Sequence, residues 1–266
     1  MSQLGFHLCI HLLDGSVIAK DARERRTVAR VVLAQGAIAG LYVFSLPDTH
    51  LHMGARCEDL EPGELCRRVG ISLKRQLGLD KGFVLYPPIA VRDQRHQEQL
   101  VRYILTQHQH HRVLADPFRE SSNLPDLLGL RAIGASYTAQ NLGRLLPRLS
   151  RETLLGWLGA PWLRPDTTSM RSEDLAGALA QAACRAACLP DLRGSHPLTV
   201  AVRRAATQVA LDRLSVAQLA PHLGVAPRTL MWLRHRPADP ELVHAIRMQL
   251  ALGTHLEESR REIVSF

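Results

Sequence analysis

The sequence predicts an α+β fold in its first part, an antiparallel sheet backed by helices, followed by an all-helical region. Three observations carry this. Short apolar runs alternate with amphipathic stretches up to about residue 118. Beyond Asp116-Pro117 almost every segment has helical spacing, punctuated by prolines such as Pro190 and Pro197. With 266 residues, 46% of them hydrophobic, the chain is long enough for one to two domains with real cores.

Phe6 to Leu13 is an apolar run that ends at the turn pair Asp14-Gly15, which predicts a first strand. Asp21 to Ala39 places Val28, Val31 and Val32 at helical spacing, with Gln35 interrupting the stripe and Gly40 closing it. Leu41 to Leu46 is rich in strand formers, Pro47-Asp48 is a turn, and His50 to Ala55 is the returning strand. Pro62 to Leu77 is a helix with Gly78 at its C-cap. Phe83 to Val91 is extended but carries Pro87-Pro88, so it is an edge strand or an interrupted one. Gln94 to His110 is a polar amphipathic helix. This order is close to the ferredoxin-like pattern. The expected domains are therefore 1–118 and a helical region over 119–266.

The net charge of +8 favours an anionic partner, and only Lys20, Lys74 and Lys81 are lysines, so the positive charge is almost all arginine. Five cysteines in no framework spacing are expected to be reduced and structural. No run approaches the roughly 20 apolar residues of a membrane span, and the first residues lack the features of a secretory signal. A cytoplasmic protein with no membrane partner is the expectation.

Two short segments carry the chemistry. On a strand, His50 and His52 lie two apart and share a face, with Leu51 turned to the core. Two imidazoles on one face can occupy cis positions of one metal ion, although two of 13 histidines can also fall together by chance. On the polar helix, Tyr103 and Gln107 lie four apart and point together, while Leu100 and Ile104, with Val101, face the sheet. A tyrosine there is otherwise simply amphipathic. His7 and His11 on the first strand read as structural. His96, His108, His110 and His111 surround the same helix. They read as a solvated basic face near a DNA backbone, together with Arg92, Arg95, Arg102 and Arg112, and one of these histidines could replace or supplement Gln107.

Taken together, a hydrophobic residue flanked by two histidines, followed about fifty residues later by Tyr-x-x-x-Gln, resembles the HUH endonucleases. The closest pattern is that of the single-tyrosine transposases of insertion sequences and the REP-associated tyrosine transposases. The resemblance covers the first part of the chain. It implies that His50, His52 and Gln107 bind a divalent cation, Mg²⁺ or Mn²⁺, with zinc open in vitro, and that Tyr103 is the nucleophile. It implies nicking and rejoining of single-stranded or hairpin DNA through a 5′-phosphotyrosine, as in transposition. The Asn-Pro that usually follows the tyrosine helix is Asp116-Pro117 here, and the helical tail is longer than in minimal members.

Within that tail, 214–236 reads as a helix-turn-helix. Ser215 caps its first helix, Gly224 makes the turn and Pro227 opens the second helix. Arg228, Thr229, Arg234 and Arg236, with Trp232, would face DNA, although a plain helical hairpin uses the same spacing. A homodimer is compatible with the sequence. The competing readings are a DNA-binding regulator that does not cut, a replication initiator or relaxase, and a histidine-triad nucleotide hydrolase, which would want a histidine where Gly54 stands.

Overall fold

Alternation along the first strand decides the layout. In the computed structural model, which describes residues 4–110, 116–133, 137–158 and 172–264, strands β1 (Gly5–Leu12), β2 (Leu41–Ser45), β3 (His50–Ala55), β4 (Phe83–Leu85) and β5 (Ile89–Val91) form one antiparallel sheet. Its order is β2-β3-β1-β4, with β5 also on β1. Facing β1, β3 places Leu51 opposite Ile10 and Met53 opposite Leu8. These four side chains are buried and form an apolar face. Helices α1 (Ala22–Gly36) and α2 (Pro62–Leu77) cover it with Val28, Val31 and Val32 from one and Leu65, Val69 and Leu73 from the other. Each such buried side chain contributes about 1.5–3 kcal/mol.

The helix ends follow local chemistry. Asp21 caps α1 by accepting from the Glu24 amide at 2.8 Å. The stretch predicted to run on to Ala39 tightens instead into one 3₁₀ turn over Ala37–Ala39 before Gly40 takes the left-handed conformation. The predicted 83–91 strand is interrupted: β4 and β5 pair with opposite halves of β1, and Pro87-Pro88, which cannot continue a ladder, separates them.

Helix α3 (Gln94–His110) packs on β2 and β3, burying Leu100, Val101, Ile104 and Leu105. After it, α4 (Leu124–Leu127), α5 (Tyr137–Leu145) and α6 (Arg151–Leu158) follow. Strand β2 is an edge, and its outer side is closed by this later chain. Asn123 donates to the Tyr42 carbonyl at 3.0 Å and accepts from the Phe44 amide at 3.0 Å. The Leu46 amide donates to the Ser121 carbonyl, and Asn141 donates to the Leu41 carbonyl. The edge is thereby blocked to other strands.

The chain divides into two compact units, Met1–Leu127 with Ala135–Leu158, and Leu128–Gly134 with Gly159–Phe266. The sequence boundary at residue 118 thus falls inside the first unit, because 121–123 and α5 hydrogen-bond to β2. The second unit is a helical bundle of α7 (Ser172–Ala186), α8 (Pro197–Ala210) and α11 (Pro240–Val264). Its core is alanine-rich, with Ala182, Ala183, Ala205 and Ala206 among the buried residues. Helices α9 (Val216–His222) and α10 (Pro227–Arg234) pack with α8 and α7. Among the described residues no helix is long and apolar enough to cross a membrane.

Asn123 is fully buried, so Asn123→Ala orphans two strand groups at once. We expect a loss of about 2–4 kcal/mol of unfolding free energy, read by urea denaturation. A loss below about 1 kcal/mol would show that the β2 edge is satisfied in another way.

Candidate functional site

The face of the sheet opposite the aliphatic one is lined by imidazoles. Since β1 pairs His11 with His50 and Cys9 with His52, the alternate residues His7, Cys9 and His11 share a face with His50 and His52. The rings are close. His7 Nε2 lies 3.2 Å from His52 Nδ1 in a hydrogen bond, and these rings stack at 5.4 Å between centroids. His11 and His50 lie 5.1 Å apart, and His50 and His52 stack at 6.3 Å. His50 Nδ1 is held by the Thr49 hydroxyl at 2.7 Å, and His11 Nδ1 donates to the Leu12 carbonyl at 2.8 Å.

Tyr103 comes down onto this face from α3. Its ring stands edge-on to His52 at 5.7 Å and to His7 at 6.1 Å. It is 45% exposed, so the phenol is open to solvent while its ring is oriented by two imidazoles. The structure therefore brings His50, His52 and Tyr103 together. His7 and His11, which read as structural from the sequence, line the same face. What the sequence did carry was their even spacing on a predicted strand, which puts both on one face.

Gln107 departs from the expectation that it shares the polar face with Tyr103. It is buried, at 1% exposure, and among the described residues no hydrogen bond joins it to either histidine. Four residues turn a helix by about 400°, which leaves Gln107 rotated by roughly 40° from Tyr103. The chain from Asp116 onward covers this half of the helix. His108, expected on a solvated basic face, is buried beneath the same segment with Nε2 3.9 Å from Asp116. Asp116 itself accepts from the Glu120 amide and from the amide and hydroxyl of Ser121. Both His108 nitrogens lack a hydrogen-bond partner among the described residues. His96 is half-buried, and Arg92, Arg95 and Arg102 are exposed as expected. His111 and Arg112 lie outside the described residues.

Which groups could hold a metal follows from this inventory. Among the described residues no group of three or more His, Cys, Asp or Glu side chains is arranged around one point. His50 and His52 can offer two nitrogens, and any further ligands would have to be an amide, water or substrate oxygens. The His7 bond to His52 and the Thr49 bond to His50 fix both ring orientations, as outer partners of metal-ligating histidines do. Burial pushes the Cys9 thiol on the same face up to about 11. A third histidine at 54 is closed to this fold: a Cβ on Gly54 would come within 2.6 Å of the Tyr42 ring and 2.7 Å of Val43. A cavity of about 500 Å³ opens over the imidazoles and is bounded by Tyr86, Pro87 and Ile89. A larger one, about 800 Å³, lies along the other side of α3 by Arg102, Arg148 and Trp157. No histidine lines this second cavity.

In the second unit, Ser215 and Gln218 form a reciprocal cap on α9. Gly224 takes φ +62° at the turn, where a side chain would be strained. Arg203 of α8, itself buried, donates to the carbonyls of Leu223, Leu192 and Gly194 and so pins the turn. Arg228 and Thr229 are exposed on the first turn of α10. Arg236 lies over the half-exposed Trp232 ring at 4.8 Å. Arg234 is only half-exposed and donates to the Leu211 carbonyl at 3.2 Å, a bond that ties α10 down. Comparison with protein-family models, curated proteins and solved structures finds no match.

Burial, then the Arg119 charge, hold the His108 imidazole well below its ordinary range, against the opposing pull of Asp116. The unfolded chain takes up this proton near pH 6.5 and the folded chain does not, so acidification below about 6.5 favours unfolding. We expect His108→Leu to flatten the loss of stability between about pH 7 and 5, followed by denaturant midpoints at each pH. Parallel curves for the two proteins would mean that His108 is protonated in the fold.

Proposed function

We propose that this chain nicks and rejoins single-stranded DNA through a covalent tyrosine intermediate, using the histidine face as the seat of a divalent cation. The observation that carries this reading is the placement of Tyr103, a half-exposed phenol presented by a helix, edge-on to His52, whose ring stacks on that of His50 two residues before it on the same strand. The antiparallel strand order β2-β3-β1-β4, with helices beside the sheet, supports the ferredoxin-like arrangement that the resemblance implies.

The donor set fits a cation that keeps part of its shell for water and phosphate oxygens, as Mg²⁺ and Mn²⁺ do. His50 and His52 would hold it, with Gln107 as the third ligand that the resemblance implies. When bound, such an ion supplies Lewis-acid polarisation of the phosphate. The chain's own residues do the rest. Tyr103 Oη attacks phosphorus and its proton leaves to solvent. The bond from phosphorus to the 3′ oxygen breaks, and that oxygen takes up a proton as a free 3′-OH. One phosphoester replaces another, so the reverse attack by a 3′-OH reseals the strand without an external energy source. His7 holds the His52 ring and stands against Tyr103, which orients both partners before substrate arrives. Exposed Arg92, Arg95 and Arg102 suit a phosphate backbone.

The helix-turn-helix geometry of α9 and α10 supports a DNA substrate independently, and it also serves the second reading, a regulator that binds without cutting. Two experiments separate these. End-labelled single-stranded DNA incubated with the protein and Mn²⁺ should give a covalent adduct that is lost in Tyr103→Phe and on chelation, with rates reduced at least 100-fold in His50→Ala and His52→Ala. An adduct that survives in Tyr103→Phe, or tight binding with no cleavage, would reject the nicking reading. Separately, Arg228→Ala should weaken duplex binding and lower the salt slope by about 1. An unchanged slope would remove α10 from the DNA surface.

A further inference from the structure

We propose that Tyr86, with the adjoining His11 and His50 rings, forms a stacking subsite for an unpaired nucleobase flanking the phosphodiester that Tyr103 attacks. The proposal rests on the nicking reading and names how the substrate strand lies on the site.

The rings of the histidine face form a staircase. Tyr86 lies 5.1 Å from His11 and 6.1 Å from His50, tilted by 33° and 23° respectively. His50 continues to His52 at an interplanar angle of 20°, and His52 to His7 at 25°. Tyr103 closes this end with its ring nearly perpendicular, at 80° to His52. The nucleophile thus stands at one end of a row of roughly parallel rings, and a tyrosine stands at the other.

The chain builds the far end deliberately. Leu85 pairs with Ile10, and the next amide, that of Tyr86, donates to the Cys9 carbonyl at 3.0 Å. The alternation then turns the Tyr86 ring to the side of His11 and His50. Pro87-Pro88 follows at once and stiffens the backbone, so a ligand that stacks here orders little that is loose. Tyr86 is 44% exposed and Ile89, beyond the prolines, is 55% exposed. Both border the cavity of about 500 Å³ over the imidazoles, none of whose lining residues is a carboxylate.

These features select a base over other occupants. A π-face meets π-faces on the ring row, in a cavity whose lining residues include no carboxylate, and exposed Arg92 follows directly after β5. Stacking is indifferent to base identity, so the subsite senses that a base is unpaired rather than which base it is. A base held in a duplex has its faces already covered.

The test uses the full chain carrying Tyr103→Phe, so that binding is read without cleavage. A short single-stranded oligonucleotide carries 2-aminopurine at one position at a time. Quenching is expected at one or two adjacent positions. Adding Tyr86→Ala should abolish it there and weaken binding about tenfold, in line with base–aromatic stacking. Tyr86→Trp should retain both, which guards against a variant that merely misfolds. Quenching that survives Tyr86→Ala, quenching at no position of a bound oligonucleotide, or no binding at all would overturn the subsite. A chain that stacks the base but forms no adduct as wild type would confirm the subsite and reject the nicking reading alone.

Discussion

Everything in the first unit depends on the register between β1 and β3. Both strands alternate aliphatic and histidine positions, and their pairing sets Ile10 against Leu51 and His11 against His50. A slip of β3 by one residue would turn Leu51 and Met53 away from the core and drive His50 and His52 into it. The burial of Leu8, Ile10, Leu51 and Met53 therefore fixes, as its unavoidable consequence, a second face crowded with imidazoles. Imidazoles at this spacing need mutual orientation, which Thr49, Leu12 and the His7–His52 bond provide. The site is in this sense the reverse side of the core.

The helix above the site is fixed by a different kind of contact. Its apolar stripe packs on β2 and β3, and its far end is buried under the segment that begins at Asp116. That segment then closes the β2 edge through Ser121 and Asn123. The chain leaving the tyrosine helix is thus sewn to the same sheet that bears the histidines. Tyr103 and the imidazoles sit on a helix and strands packed against each other, the condition under which a site keeps its geometry without substrate.

Much of this was legible in the sequence because periodicity is local. Strand and helix spacings located β1, β3 and α3, and the strand spacing put His50 and His52 on one face; that Tyr103 joins them was implied by the resemblance alone. Gly40, Gly78 and Pro87-Pro88 marked real interruptions. What failed to show was what depends on pairing between distant segments. His7 and His11 gain their place only when β1 lies beside β3, 45 residues away for the His7–His52 bond. Gln107 and His108 look polar and helical, hence solvent-facing, yet both are buried, His108 against Asp116. Asn123 reads as a loop residue, and only the free edge of β2 gives it a role. The extent of the first unit was misjudged for the same reason, since α5 has no sequence mark of its bond to Leu41.

The two units present two different surfaces for nucleic acid on the proposed reading. Helices α9 and α10 offer a short exposed helix with Arg228 and Thr229 at its start, a shape that suits the major groove of a duplex. The histidine face offers a ring row and an exposed phenol, which a duplex would not satisfy because its bases already stack on each other. DNA that joins a duplex stem to unpaired nucleotides, as a hairpin with an adjoining single strand does, meets both demands. Arginine dominates the chain's positive charge, and arginine serves both surfaces, since its planar guanidinium reads guanine edges, clasps phosphates and stacks on bases. The preference for a mixed substrate then follows from the chemistry of the two surfaces taken separately.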